Sequence, residues 1–283
     1  MKILIIFKIK SSKAKNLAQK ATDFLLSIDH QVFCEENQQI EGATPLKNNQ
    51  LDSEINFVTV IGGDGTLLYS TSLMTTSVVP ILGINLGSLG FLTPFSSKYV
   101  FDHLHQAINN QLIQTRRFRI DVKVLRNQKC IFSSIAANDA VINHKKLARL
   151  MTINCYENNE YISTYKADGL ILATPMGSTA YALAAGGPII SPQMDALAIV
   201  PICPHQLTQR PLIIDSSSEL TVNLEKPGFL TVDGQRGQEI EPSDKIILKK
   251  SQLPIKLFLP NNYSIFKVLK HKLSWGAREA FNA

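Results

Sequence analysis

The chain is poor in residues that staple or anchor a protein. Its four cysteines, Cys34, Cys130, Cys155 and Cys203, lie far apart and never form a CxxC pair. That spacing excludes a zinc knuckle and a compact disulfide scaffold; four reduced thiols in a cytoplasmic protein are expected instead. Charged residues make up 18% of the chain, and the Lys and Arg residues are scattered rather than gathered into a block interleaved with aromatics. A nucleic-acid partner is therefore not expected. No apolar run approaches the roughly 20 residues of a membrane helix. The opening "MKILIIFKIK" is interrupted by Lys8 and Lys10 and has no small-residue cleavage site, so neither a membrane partner nor export is expected. The familiar nucleotide fingerprints are missing too: "GGDGTL" lacks the spacing of GxGxxG, "GSLG" (87–90) is too short, and no GxxxxGK[ST] occurs.

What is present is a core. Of 283 residues, 45% are apolar, enough for one large domain or two ordinary ones. The formal charge of +6 favours anionic ligands such as phosphates. Residues 3–7 read as a buried strand, and Ser11 or Ser12 caps a helix that turns Ala14, Leu17, Ala18, Ala21, Phe24 and Leu25 to one side. Residues 57–61 form a second strand, followed by a helix from Leu67; residues 78–85 form a third, whose Pro80 suits an edge. Residues 97–112 suit another helix. This alternation predicts a mostly parallel sheet covered by helices over residues 1–115. Near Arg116 the rhythm changes. Phe118, Ile120, Val122 and Val124 alternate with polar residues, as do Met151, Ile153 and Cys155, and turns such as "ENNE", "EKPG" and "DGQRG" punctuate the chain. A second, β-rich domain is predicted over 116–258, followed by a tail at 259–283 in which "FKVLKHKLSWGAREAFNA" starts helical and stops at Gly276.

The sequence "IGGDGTLLYS" (61–70) places one aspartate among three glycines, between a strand and a helix. In α/β folds, ligands sit beyond the carboxyl ends of strands. Bare glycines there let backbone N–H groups approach a phosphate, and a helix N-terminus favours anions. Side chains at Gly62, Gly63 or Gly65 would occupy the space such a ligand needs. Asp64 then has three uses: organising a divalent cation, accepting a proton from an attacking hydroxyl, or merely capping the helix.

A second constellation, "YKADGLILATPMGSTAYALAAGGPIISP" (165–192), joins a buried strand to a turn of small hydroxyl residues. Together, "GGDGT", "GINLGSLGFLT", the pair Asn138-Asp139, "DGLILATPMGSTAYALAAGGPI" and "PHQLTQRPLIIDSS" resemble the NAD kinases in order and spacing from about residue 57 to 275. "GGDGT" alone is shared with diacylglycerol and sphingosine kinases and, in similar form, with phosphofructokinases; the long second motif is the specific one.

The resemblance implies a Rossmann-like α/β N-terminal domain and an all-β C-terminal domain, with the chain's end returning to the first. It implies transfer of a phosphoryl group from ATP, or from polyphosphate, to the 2′-hydroxyl of the adenosine ribose of NAD, with a divalent cation such as Mg or Mn. It implies a homodimer or homotetramer whose neighbouring subunits complete the pocket. The family's proton acceptor falls on Asp64, with Gly65 beside the ligand; its ribose-holding pair falls on Asn138 and Asp139, where many members carry Glu second. Lys166 and Asp168 match the segment around the second DG. The nicotinamide-side pocket falls on Thr179, Ala180, Tyr181, Ala182, Leu183 and Ala184. Arg149 and Gln235 match further ligand contacts, and no residue is assigned as a metal ligand. Two departures stand out: Met176 replaces the usual threonine of TPTGST, and the glycine often following the first strand is absent. The alternatives are a lipid or sugar kinase sharing only GGDGT, and a non-catalytic NAD-binding regulator. Neither an apolar acceptor channel nor a membrane-surface feature favours the former.

Overall fold

The computed structural model describes residues 1–46, 51, 54–87, 89–144 and 150–275. The chain divides into two compact units, Met1–Thr115 with Lys256–Ala283, and Arg116–Ile255. The first unit alternates strand and helix: β1 (Lys2–Phe7), α1 (Ser12–Ser27), β2 (Gln31–Cys34), β3 (Thr44–Pro45), β4 (Phe57–Gly62), α2 (Asp64–Ser72), β5 (Pro80–Asn85), β6 (Phe95–Ser96), α3 (Val100–Ile108) and β7 (Ile113–Arg117). The strand Ile255–Leu259 joins the same sheet, between β5 and β7. β1, β2, β4 and β5 pair in parallel.

Strands β1, β4 and β5 are buried along nearly their whole length, which is why they read as continuous apolar runs. Ser11 caps α1 by accepting the Ala14 N–H, and Ala14, Ala18, Ala21 and Leu25 face inward. These pack with Ile3, Ile5, Phe57, Ile61 and Leu104 in one core. Pro80 does not mark an edge. It opens an interior strand and lies opposite Lys256; at the first position of a strand its missing N–H is tolerated.

The second unit contains β8 (Ile120–Arg126), β9 (Lys129–Ala136), β10 (Asp139–His144), β11 (Met151–Glu157), β12 (Glu160–Ala167), β13 (Gly169–Ala173), α4 (Tyr181–Ala184), β14 (Ala196–Ile202), β15 (Leu212–Asp215), β16 (Leu220–Leu224), β17 (Gly228–Val232), β18 (Arg236–Ile240) and β19 (Lys245–Lys250). They form two six-stranded sheets, ordered β15-β14-β13-β10-β17-β18 and β12-β11-β16-β19-β8-β9. Ile120, Val122, Ile153 and Cys155 of one sheet share a core with Leu170, Leu172 and Leu230 of the other. The opposite face of β13 is buried as well, with Ile171 and Ala173 against Ala182, Ile190 and Val200. That second burial explains its uninterrupted apolar sequence.

Candidate active site

The glycine turn sits where β4 ends and α2 begins, with Gly63 as the helix N-cap. Asp64 does not cap the helix; no side chain does. Its carboxylate instead reaches the loop after β5. Oδ1 accepts from the N–H groups of Leu92 (3.0 Å) and Thr93 (3.2 Å) and from the Thr93 hydroxyl (3.1 Å). Among the described residues, Oδ2 accepts only from the N–H of Phe91 (2.9 Å). An ionised carboxylate offers about four lone-pair directions, so Oδ1 is crowded while Oδ2 keeps room for a donor. Gly90 is required by this packing, since a Cβ there would lie 2.2 Å from Asp64 Oδ1.

The turn's own glycines divide into two kinds. A Cβ on Gly62 would lie 2.4 Å from the Thr66 hydroxyl, so that position is bare to make room for α2, contrary to the expectation of a ligand. Cβ atoms on Gly63 and Gly65 would meet nothing within 4 Å. Both line a cavity of ≈ 330 Å³ together with Phe7, Lys8, Ile9, Gln38, Thr66 and Tyr69. Because the first N–H groups of a helix have no intrahelical partner, the cavity meets a ready anion-binding end, and Lys8 adds a cation.

Three supports of this cavity are not evident from sequence. The Gln38 side chain bonds both the N–H and the carbonyl of Phe7, at 2.9 and 2.8 Å. Glu35 is fully buried and accepts the Tyr69 hydroxyl at 2.6 Å. Burial pushes the Glu35 carboxyl up, while burial and then Glu35 push the Tyr69 phenol up to about 12. Such long-range pairing carries no sequence signal.

In the second unit, Ala137 and Asn138 connect β9 to β10 and so cross from one sheet to the other. The crossing is tied down completely. Asp233 takes the N–H of Ala137 on Oδ2 (2.7 Å) and those of Asn138 (2.7 Å) and Asp139 (3.0 Å) on Oδ1. The Asp233 N–H donates to the Asp139 carbonyl, the Thr174 hydroxyl to that of Ala137, and the Thr174 N–H to that of Asn138. The side chains remain unspent. Asn138 Oδ1 is buried without a partner, and Asp139 is a buried residue whose carboxylate takes no hydrogen bond among the described residues. Burial, then the charge of Asp233, pushes the Asp139 carboxyl up to about 7.

The turn of the second motif leans on this crossing. A Cβ on Gly177 would lie 2.1 Å from the Asn138 carbonyl oxygen. The Thr174 hydroxyl also accepts the Gly177 N–H, at 3.1 Å. The turn is thus ordered by the hydroxyl at 174, and Met176 is simply buried.

Of the remaining residues, Lys166 and Asp168 are exposed while Tyr165 and Ala167 between and beside them are buried, the alternation of a strand. Thr179 and Ala180 lead into α4, whose Tyr181 and Ala184 are exposed and whose Leu183 is half-buried. Ala182 departs from the predicted set: it is wholly buried in the core behind β13, and its carbonyl accepts the Gly187 N–H. Gln235 is exposed in the same hairpin turn as Asp233. Arg149 and Gly276 lie outside the described residues. Asp233 itself was missed; "DGQRG" reads as an ordinary turn. Among the described residues no group of three or more His, Cys, Asp or Glu is arranged to hold a metal, and no helix is long and apolar enough to cross a membrane.

Comparison with known proteins covers both units. Residues 3–113 match the ATP-NAD kinase N-terminal domain and residues 137–259 the ATP-NAD kinase C-terminal domain. The chain is 36% identical over 282 residues to an NAD kinase of Geotalea daltonii, spanning 98% of this chain and 99% of that one. It is 38% identical over 240 residues to an NAD kinase of Geobacter metallireducens, spanning 84% and 85% of the two chains. Its fold is shared with yeast NADH kinase complexed with NADH, at a TM-score of 0.92 and 24% identity over 100% of this chain and 90% of that one. It is also shared with an NAD kinase from Archaeoglobus fulgidus in complex with ATP, at a TM-score of 0.78 and 23% identity over 97% and 99%. With both domains matched and relatives aligned from end to end, the chain belongs to the NAD kinase family.

Proposed function

We propose that the chain transfers the terminal phosphoryl group of ATP to the 2′-hydroxyl of the adenosine ribose of NAD, releasing ADP and NADP. The relatives named NAD kinase support this along the whole length, so a kinase sharing only GGDGT is not favoured. The observation that carries the chemistry is the open turn: two glycines whose Cβ positions are empty, a helix N-terminus and one carboxylate with spare capacity.

Asp64 acts as the base: its Oδ2 accepts the proton as the ribose oxygen attacks phosphorus. Gly63, Gly65 and Lys8 receive the donor's phosphates. Asn138 and Asp139 accept hydrogen bonds from ribose hydroxyls. Lys166, Asp168, Thr179, Ala180, Tyr181, Leu183, Ala184 and Gln235 complete the NAD site. Phosphoryl transfer depends chiefly on positioning and electrostatics. A divalent cation, Mg or Mn, would be held mainly by the donor's phosphates, since Mg2+ commonly takes only one or two carboxylates beside them; Asp64 is the carboxylate this turn offers. When bound, the ion neutralises charge on the transferring group. Polyphosphate is a second donor of the same chemistry, and a cytoplasmic homodimer or homotetramer is the assembly. Purified protein incubated with NAD, ATP and magnesium should yield NADP, and a lipid acceptor in parallel should remain unphosphorylated. The reverse outcome would refute the reading.

A further inference from the structure

We infer that Asp233 is a positioning residue for NAD, holding Asn138 and Asp139 with their side chains free for a ribose diol. The inference rests on the proposal that this pair binds the ribose. Three convergent N–H donors on one carboxylate are more than a turn requires. Asp233 adopts a left-handed backbone, φ +51°, at the tip of the β17–β18 hairpin. Aspartate tolerates that region better than most residues, and the conformation turns its carboxylate back onto the neighbouring strand. Val232 pairs with Ala140, so Asp233 stands beyond the last ladder pair, where the partner chain leaves the sheet. The carboxylate substitutes for the strand that Ala137 and Asn138 lack.

The consequence is a division of labour. All six backbone polar groups of residues 137–139 are engaged by Asp233 and Thr174. Asn138 Oδ1, buried and unpaired, is left as an acceptor beside the buried residue Asp139. An unsatisfied buried acceptor is costly, and hydroxyl donors from a ligand would relieve that cost. Charge enters as well. The carboxylate of Asp233 is the charge that acts on Asp139. Asp233 itself is pushed up by burial and pulled down by the three N–H donors and by the charge of Arg119. Arg119 is almost wholly buried; burial lowers it to about 10, against the opposing charges of Asp121 and Asp233.

The test compares Asp233→Asn, Asp233→Glu and Asp139→Asn by steady-state kinetics over pH, with thermal unfolding of each. Asp233→Asn should raise KM for NAD about tenfold, leave KM for ATP unchanged, and move the acid limb of kcat/KM for NAD to lower pH. Asp233→Glu keeps the charge but misplaces it, so KM for NAD should rise with the limb unmoved. If Asp233→Asn does not fold, a normal KM for NAD in Asp233→Glu overturns the inference. A lower melting temperature in both variants, with unchanged KM and pH profile, would show a merely structural turn and also overturn it. If Asp139→Asn binds NAD normally, the ribose-holding role itself fails, an outcome separable from failure of Asp233 alone.

Discussion

Asp64 receives four hydrogen bonds on its side chain from residues 91–93, whereas Asp139 receives none on its side chain from any described residue. Both are oriented, by opposite means. Asp64 is fixed through its own carboxylate and keeps part of one oxygen for chemistry. Asp139 is fixed through its backbone by another aspartate and keeps the whole carboxylate. In the mechanism we propose, a group that accepts a proton can share its oxygens with a loop, whereas a group that grips a neutral hydroxyl gains most by arriving unspent.

The largest effect is expected for Asp64→Asn. Turnover should fall at least ~100-fold, with KM for NAD changed far less. Thr93→Val removes one of the four bonds and leaves the carboxylate, so turnover should stay within a few-fold. Equal losses in the two variants would make Asp64 a loop clamp and not a base. Next come the glycines. Gly63→Ala should keep its unfolding free energy to within about 1 kcal/mol, because its Cβ has open space, yet lose most ATP affinity. Gly90→Ala should lose stability first, by displacing Asp64. Calorimetry together with ATP titration separates the two.

A smaller effect concerns Asp139 and pH. Folding raises this carboxyl from an ordinary unfolded value near 3.9 to about 7. Its contribution is therefore fully present below the unfolded value and is lost as pH rises through about 7. Asp139→Asn should be more stable than the parent at about pH 8, by on the order of a few kcal/mol, and should converge with it toward about pH 4. Denaturant unfolding at the two pH values checks this; a difference independent of pH would contradict the burial argument. The smallest effect is expected for Lys8→Ala. Lys8 is exposed, so stability should hardly move, while KM for ATP rises several-fold and less so in high salt.

Much of the fold was legible from periodicity. The strands β4 and β13, the helix capped at Ser11 and the change of rhythm at Arg116 all follow from apolar spacing and turn residues. The strand Ile255–Leu259 was not assignable that way. Its sequence is that of any buried strand, and only its pairing with β5 places it in the first unit's sheet. The same limit applies to the site. Gly62 and Gly63 look alike in sequence, but Thr66 crowds one and nothing crowds the other. Ala182 sits inside a motif whose neighbours face outward, and the helical turn of α4 carries it into the core.

The order of residues alone determined the alternation of strand and helix, the β-rich segment and the two glycine-containing motifs, because each depends on neighbours a few positions apart. Tertiary structure alone decided which carboxylates are spent. Asp64 meets residues 91–93 and Asp233 meets residues 137–139 across separations that no local pattern encodes. Hydrogen bonding and burial set what a carboxylate can do, and both come from whichever distant segments the fold brings beside it.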